Sequence, residues 1–202
     1  DISDALRVQL KELGLALSTT DLDDDIINDF AQQAEAVRKN FYVFMATEYG
    51  TIKRVELEQF SNVRSNGLRA IELNGDDTLI GVAITDGEQQ IMLFSNEGKA
   101  IRFAETDVRS MGRSAKGVRG MRVTIGAAQA EEAEEDTADS EDDATDSNFV
   151  SRIVSLVVVP ETGEVLCASA NGYGKRTPVD DFPTKKRGGK GVIAIKTSER
   201  NG

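Results

Sequence analysis

Two glycine-rich loops carry the densest groups of positive charge in this chain. They read GRSAKGVRGMRV at 112–123 and TKKRGGKGVIAIK at 184–196. Lysine, arginine and exposed backbone amides are groups that proteins use to contact phosphate, and glycine lets the backbone come close to a bound group. The two loops therefore predict a surface that binds anions.

A nucleotide site is the first form of phosphate binding to test. A P-loop requires Gly-Lys followed by Ser or Thr, but Lys190 is followed by Gly191. The dinucleotide-binding pattern fails as well, because Gly172 and Gly174 are followed by Thr177 where the pattern needs its third glycine. A nucleotide is therefore a poor candidate for the ligand.

The composition also excludes several kinds of catalytic site. The 202 residues include no histidine and a single cysteine, Cys167. This removes Ser-His and Cys-His nucleophile pairs, His-ligated zinc and an internal disulfide. No apolar run approaches the roughly 18–20 residues of a membrane span. We expect a non-catalytic cytoplasmic module that has no cofactor or metal of its own and no contact with a membrane.

The net charge of −11 hides a basic body. Residues 1–40 hold nine acids and four bases, and residues 131–146 hold ten acids and no base. The rest of the chain holds 16 acids and 20 bases, which makes it mildly positive. The acidity is confined to two appendices, so it does not argue against binding a polyanion.

Three segments of the basic body form an internal repeat. Each has a strand, a turn at a glycine, a second strand with a central arginine, an apolar anchor, a basic loop and a further strand that is expected to close the unit. The turn glycines are Gly50, Gly98 and Gly172, and the basic loops end at Gly67, Gly117 and Gly191. A period of about 40–50 residues with four strands per unit is typical of propeller blades. Three blades do not close a ring, so we expect part of a larger circular domain.

The sequence predicts two domains and three repeat units. Residues 1–40 show two amphipathic helical stripes and are predicted to be a helical appendage. Residues 41–202 are predicted to be all-β, with units at about 41–74, 77–126 and 149–200. Residues 127–148 lack apolar residues other than alanine and are expected to form a disordered acidic loop, either a solvating linker or an electrostatic competitor of the ligand.

Equivalent positions of successive units carry the same cations. Arg102 corresponds to Arg176, and Arg113 and Lys116 correspond to Arg187 and Lys190. On a ring, such positions lie at regular intervals along the rim, which fits the evenly spaced charge of duplex DNA. The residues predicted to face phosphate are Arg102, Arg113, Lys116, Arg119, Arg176, Arg187 and Lys190, with Lys53, Arg54, Lys99, Lys175, Lys185 and Lys186 behind them, and with Gly188, Gly189 and Gly191 exposing their amides.

Two other interpretations are compatible with the same residues. The glycines can serve only as tight turns while the bases solvate the surface. Alternatively, the propeller binds protein partners through its rim. A steep dependence of duplex binding on salt would separate a DNA module from a protein-binding one.

At the level of whole motifs, residues 41–202 resemble the C-terminal domain family of DNA gyrase A, part of a bacterial type II topoisomerase. The resemblance rests on FMATEYGTIK, MLFSNEGKAIRF, GVRGMRV and NGYGKRTPVDDFPTK. It implies a six-bladed β-pinwheel, a ring whose blades exchange strands and whose basic perimeter bends and wraps duplex DNA. The nucleophilic tyrosine, ATP and magnesium of such enzymes would lie in other domains, and the remainder of gyrase A together with gyrase B would be partners near the nucleoid. The corresponding C-terminal ring of topoisomerase IV is the related alternative.

One motif departs from the family pattern. The family's box has the form Gln-Arg/Lys-Arg-Gly-Gly-Lys-Gly, and Lys185–Gly191 resembles it with lysine in place of glutamine. The box belongs to the family's first blade, whereas this segment lies by context in a later one. A box function and an echo of the box through the internal repeat both remain open.

Overall fold

A computed structural model describes residues 41–62, 64–124 and 150–202. Within these residues the chain forms ten strands and three 3₁₀ turns, and the helical appendage and acidic loop predicted above lie outside them. The strands are β1 (Tyr42–Thr47), β2 (Thr51–Glu56), β3 (Leu79–Thr85), β4 (Gln90–Ser95), β5 (Lys99–Ala104), β6 (Val118–Arg119), β7 (Ile153–Val159), β8 (Glu164–Ala168), β9 (Gly174–Pro178) and β10 (Val192–Ile193). The turns are Leu57–Phe60, Glu105–Asp107 and Val179–Asp181.

Three antiparallel hairpins repeat along the chain, as predicted. They are β1–β2, β4–β5 and β8–β9. Their turns contain Gly50, Gly98 and Gly172, with φ angles of 83°, 71° and 81°. This left-handed conformation is readily adopted by glycine, which explains why the same residue recurs at each turn. The all-β repeat architecture is confirmed.

The sheets are not made from single sequence units. The first sheet has the order β3-β1-β2-β6 and the second has the order β10-β5-β4-β7. The prediction that β6 and β10 close their own units is therefore wrong, because each pairs with the hairpin of the preceding unit. Val118 of β6 lies opposite Ile52, and Val192 of β10 lies opposite Ala100. In the described part of the chain β8–β9 is a two-stranded sheet, and residues 68–73 form no strand.

The main core lies between the two four-stranded sheets. Phe44 and Ile52 of the first sheet pack in one cluster with Ile91 and Phe103 of the second, and the two phenylalanine rings are 6.4 Å apart. All four side chains are fully buried. Burial of each contributes roughly 1.5–3 kcal/mol to folding, so the sheets are joined mainly by apolar contact. No helix within the described residues is long and apolar enough to cross a lipid bilayer.

Candidate nucleic-acid interface

Each basic loop of the second and third units lies across the preceding hairpin. We call residues 61–67, 110–117 and 184–191 loops 1, 2 and 3. Loop 2 starts at Ser110, which forms an isolated parallel β-bridge with Arg54 of β2. Loop 3 starts at Thr184, which forms the same kind of β-bridge with Arg102 of β5. The loops then lead into β6 and β10, which pair with the first residues of the same two strands. Loops 2 and 3 therefore occupy equivalent places on successive sheets.

The glycines that end loops 2 and 3 allow each loop to pass close to the backbone of the strand that it crosses. Gly117 and Gly191 have φ angles of 106° and 79°. A Cβ on Gly117 would lie 2.6 Å from the carbonyl oxygen of Ile52, and one on Gly191 would collide with the carbonyl oxygen of Ala100. Gly191 was predicted to open the backbone to phosphate. The structure gives a second reason for glycine here, since the missing side chain accommodates the preceding strand, and the role of its amide stays a prediction.

Loop 3 is joined through its backbone to residues 120–122, the segment that follows loop 2 and β6. The amide of Gly188 donates to the carbonyl of Gly120 at 2.6 Å, and the amide of Arg122 donates to the carbonyl of Gly189 at 2.9 Å. The amide of Gly188 was predicted to be exposed for phosphate, but it is used inside the protein. These two hydrogen bonds fix loop 3 against the segment that directly follows loop 2 and β6.

A guanidinium group adds to this contact between consecutive units, which we call the junction. Arg187 of loop 3 donates from Nη1 to the carbonyl of Arg119 at 2.9 Å and from Nε to the carbonyl of Asp107 at 3.1 Å. Both acceptors are neutral carbonyls, so the positive charge of Arg187 is not cancelled. Arg187 therefore combines a structural link with a charge at the surface.

Most of the predicted cations carry no acidic partner. Within residues 41–62, 64–124 and 150–202, the ion pairs closer than 4 Å involve Arg54, Lys99, Arg152 and Arg176. The remaining predicted cations of the two loops, together with Arg119 of the adjoining β6, are exposed or half-buried and have no carboxylate within that distance in the described chain. They are Arg113, Lys116, Arg119, Lys185, Lys186, Arg187 and Lys190. We call these seven residues the basic track.

Lys53 does not belong to the surface. Its side chain is fully buried, and its Nζ donates to the carbonyls of Ala70 at 2.8 Å and of Arg113 at 2.5 Å. Burial lowers the pKa of Lys53, and the nearby charge of Glu72 opposes this shift. The prediction that Lys53 faces phosphate is wrong, because the amine already has two acceptors inside the protein.

The repeated arginine of the second strand holds the next unit. Arg54 lies 4.5 Å from the ring centre of Tyr42, and its Nη1 is 3.9 Å from the buried carboxylate of Glu105. Arg102 donates from Nη1 to the carbonyl of Val179 at 3.0 Å. Both partners, Glu105 and Val179, begin the 3₁₀ turn of the following unit. The predicted phosphate role of Arg54 and Arg102 is corrected to a link between neighbouring units.

Three further predicted cations have contacts of their own. Lys99 pairs with Glu97 at 2.7 Å, and Arg176 pairs with Glu164 at 3.0 Å. The Arg176 side chain remains 71% exposed, so solvent screens this pair strongly. The Nζ of Lys175 lies 3.4 Å from the carbonyl of Ala194. We do not count these residues in the basic track.

Two exposed arginines near the junction were not predicted. Arg122 follows loop 2 and its amide contacts loop 3, and Arg109 lies two residues after the Asp107 carbonyl that Arg187 contacts. The sequence GVRGMRV already contained Arg122. A count of cations beyond the loop-ending glycine would have found it, whereas the place of Arg109 depends on the contact between units.

Hairpin-based sheets that take their edge strand from the next unit, each crossed by a basic loop, define a propeller-type repeat protein. The comparison with protein families agrees: the family described as "DNA gyrase C-terminal domain, beta-propeller" matches residues 42–86, 89–126 and 163–202. The chain belongs to this family.

Individual relatives and structures extend the comparison. The chain is 47% identical over 172 residues to the DNA gyrase A protein of Haemophilus influenzae, covering 83% of this chain and 19% of the relative. It is 48% identical over 162 residues to the DNA gyrase A protein of Pseudomonas aeruginosa, covering 80% and 15%. It therefore spans less than a fifth of these relatives.

Two solved structures are similar to the chain. The DNA gyrase A C-terminal domain matches 82% of this chain and 47% of that domain, with a TM-score of 0.63 and 26% identity. The C-terminal domain of DNA topoisomerase IV matches 82% of this chain and 44% of that domain, with a TM-score of 0.65 and 25% identity. Both agree with the propeller-type fold.

Proposed function

We propose that this chain is a module that binds and wraps duplex DNA. The observation that carries the proposal is the basic track, whose cations lie on loops with equivalent places on successive sheets and lack carboxylate partners among the described residues. Each phosphate that such a cation neutralises releases condensed counterions, which favours binding. Contacts to phosphate carry no sequence information directly, so the module discriminates little between sequences.

The contact between loops 2 and 3 supports binding along a curved duplex. The hydrogen bond from Gly188 to Gly120 fixes loop 3 to the segment that follows loop 2 and β6. A rigid series of cations binds a bent double helix without losing much conformational entropy on association. The family relationship supports the further proposal that the bent duplex wraps around the domain.

We also propose the setting in which the module works. It would serve in a cytoplasmic, nucleoid-associated heterotetramer of gyrase A and gyrase B, where the wrap supports negative supercoiling driven by ATP. The chain would contribute no catalytic residue, and ATP and magnesium would be bound elsewhere in the holoenzyme. The names of the relatives at 47% and 48% identity support gyrase, and the fold similarity to topoisomerase IV keeps the C-terminal ring of that enzyme as the second candidate.

Binding of a linear duplex of random sequence across a salt titration tests the proposal. We expect log affinity to fall linearly with log salt concentration, with a slope of about −0.9 per phosphate contact. Ligation of nicked plasmid in the presence of the chain reports wrapping as a change in linking number. A shallow salt slope and no competition from bulk DNA would instead identify a protein-binding propeller. Binding without a change in linking number would favour the topoisomerase IV type.

A further inference from the structure

The two junctions between consecutive loops are built differently. At the junction of loops 2 and 3, the amide of Gly188 donates to the carbonyl of Gly120. Gly188 lies three residues before the glycine that ends loop 3, so its counterpart in loop 2 is Ser114. Gly120 lies three residues after the glycine that ends loop 2, so its counterpart after loop 1 is Ala70. The carbonyl of Ala70 instead accepts a hydrogen bond from the ammonium of Lys53. A side chain thus takes the place of a backbone donor.

The same ammonium also contacts loop 2. The Nζ of Lys53 donates to the carbonyl of Arg113, the residue before Ser114, at 2.5 Å. It therefore bridges the segment that follows loop 1 to the backbone of loop 2. A second backbone contact accompanies it, since the amide of Glu72 donates to the carbonyl of Ala115 at 3.4 Å.

The local residues explain the difference. Gly188 has a φ of 86°, a conformation that is strained for residues with a Cβ, and its counterpart is the serine Ser114. The counterpart of Lys53 in β5 is Ile101, which is buried and lies 3.6 Å from the position of a Cβ on Gly189. The junction of loops 2 and 3 thus has Gly188 and Ile101 at the two positions where the first junction has Ser114 and Lys53.

The third unit preserves part of the lysine arrangement. Lys175 lies three residues after Gly172, as Lys53 lies three after Gly50. Its Nζ is 3.4 Å from the carbonyl of Ala194, the counterpart of Ala70. A buried ammonium is costly unless its donors are satisfied, so two carbonyl partners for Lys53 indicate a built contact.

We propose that Lys53 is a positioning residue for the basic track: its buried ammonium joins the segment after loop 1 to the backbone of loop 2 and so fixes the part of loop 2 that carries Arg113 and Lys116. This rests on the proposed function, because Arg113 and Lys116 are the residues it positions for DNA. Lys53 itself contacts no phosphate.

Three variants of the full chain test the bridge: Lys53→Ile, Ser114→Gly and the double variant, which places the residues of the second junction at these two positions. Lys53→Ile should speed hydrogen exchange of the Glu72 amide and weaken binding of a random-sequence duplex by roughly 3- to 10-fold, the equivalent of one net hydrogen bond. The double variant should recover both quantities although no cation has been restored. Lys116→Ala is the comparison for a direct contact, and adding Ser114→Gly should not repair it.

The outcomes separate the possible roles. Unchanged Glu72 exchange and affinity in Lys53→Ile overturn the bridge. So does a loss of affinity that Ser114→Gly leaves unrepaired and that lowers the salt slope by about one unit, the signature of a phosphate contact. If Lys53→Ile unfolds, recovery of folding in the double variant supports the bridge, and a double variant that stays unfolded overturns it. If the wild-type chain binds no duplex, the proposed function fails, and Glu72 exchange still decides the bridge.

Discussion

The guanidinium of Arg187 in loop 3 donates to the carbonyl of Arg119 at 2.9 Å, so loop 3 is fixed to strand β6 of the preceding unit. Because Arg187 also contacts the carbonyl of Asp107, it fastens loop 3 at two points of the preceding unit. A cation that donates to neutral carbonyls keeps its charge. The same residue can therefore fix the geometry of the surface and contribute to its potential.

Arg187 and Lys186 should respond differently to truncation. Arg187→Ala should lower the salt slope of duplex binding by about one unit and the free energy of unfolding by roughly 1 kcal/mol, because a charge and a link are both lost. Lys186 is exposed, so Lys186→Ala should change the slope alone. Urea unfolding and salt-titrated DNA binding measure the two effects. Equal stability losses in both variants would contradict the link.

Lys116 and Lys190 should make equal and additive contributions to DNA binding. They occupy equivalent positions on successive sheets, each immediately before a loop-ending glycine. Each alanine variant should reduce the salt slope by about one unit, and the double variant by about two, irrespective of duplex sequence. Fluorescence anisotropy with duplexes of different sequence checks this. A loss confined to one sequence would indicate a base contact instead.

Replacement of Arg102 should loosen two neighbouring units. Its Nη1 donates to the carbonyls of Val179 and Phe182, at 3.0 and 3.4 Å. Arg102→Met should lower the free energy of unfolding by about 1–3 kcal/mol, since buried carbonyls lose a charged donor. Urea denaturation gives the value, and Lys185→Met, at an exposed position, is the control. A salt slope that falls while stability is preserved would restore the original assignment of Arg102 to phosphate.

Two glycines that share a left-handed conformation should differ in their tolerance of alanine. Gly191 and Gly67 have φ angles of 79° and 76°. A Cβ on Gly191 would collide with the carbonyl of Ala100, whereas one on Gly67 meets nothing within 4 Å. Gly67→Ala should cost about 1 kcal/mol of stability for the backbone strain, and Gly191→Ala distinctly more. Thermal unfolding compares them, and equal losses would show that the crossing of β5 is not tight.

The buried amine of Lys53 should give the protein a distinctive dependence on pH. Burial lowers its pKa below 10.5, against the charge of Glu72, while the carbonyls of Ala70 and Arg113 face it. Between the lowered value and 10.5 the unfolded chain binds more protons, so stability rises with pH there. Wild type should therefore gain free energy of unfolding relative to Lys53→Met as pH increases towards 10.5. Urea titrations at several pH values measure the difference, and a flat or falling one contradicts the shift.

Local patterns in the chain were sufficient for the fold class. Alternating apolar residues and a glycine at each turn identified the hairpins, because both are properties of a few adjacent residues. The repeated cations of loops 2 and 3 were also evident, since Arg113, Lys116, Arg187 and Lys190 recur at equal distances from their turn glycines. Neither inference needed to know which hairpins are neighbours in space.

Contacts between units decided the rest. Lys53, Arg54 and Arg102 look like surface cations in the sequence, yet each donates to, or pairs with, groups of another unit or segment. The partner of a strand such as β6 is likewise set by which sheet edge the crossing loop reaches. Charge and periodicity can be determined from the sequence, whereas the burial of a side chain depends on which residues pack against it. Tertiary structure alone therefore separated the cations that hold the sheets together from those left facing solvent.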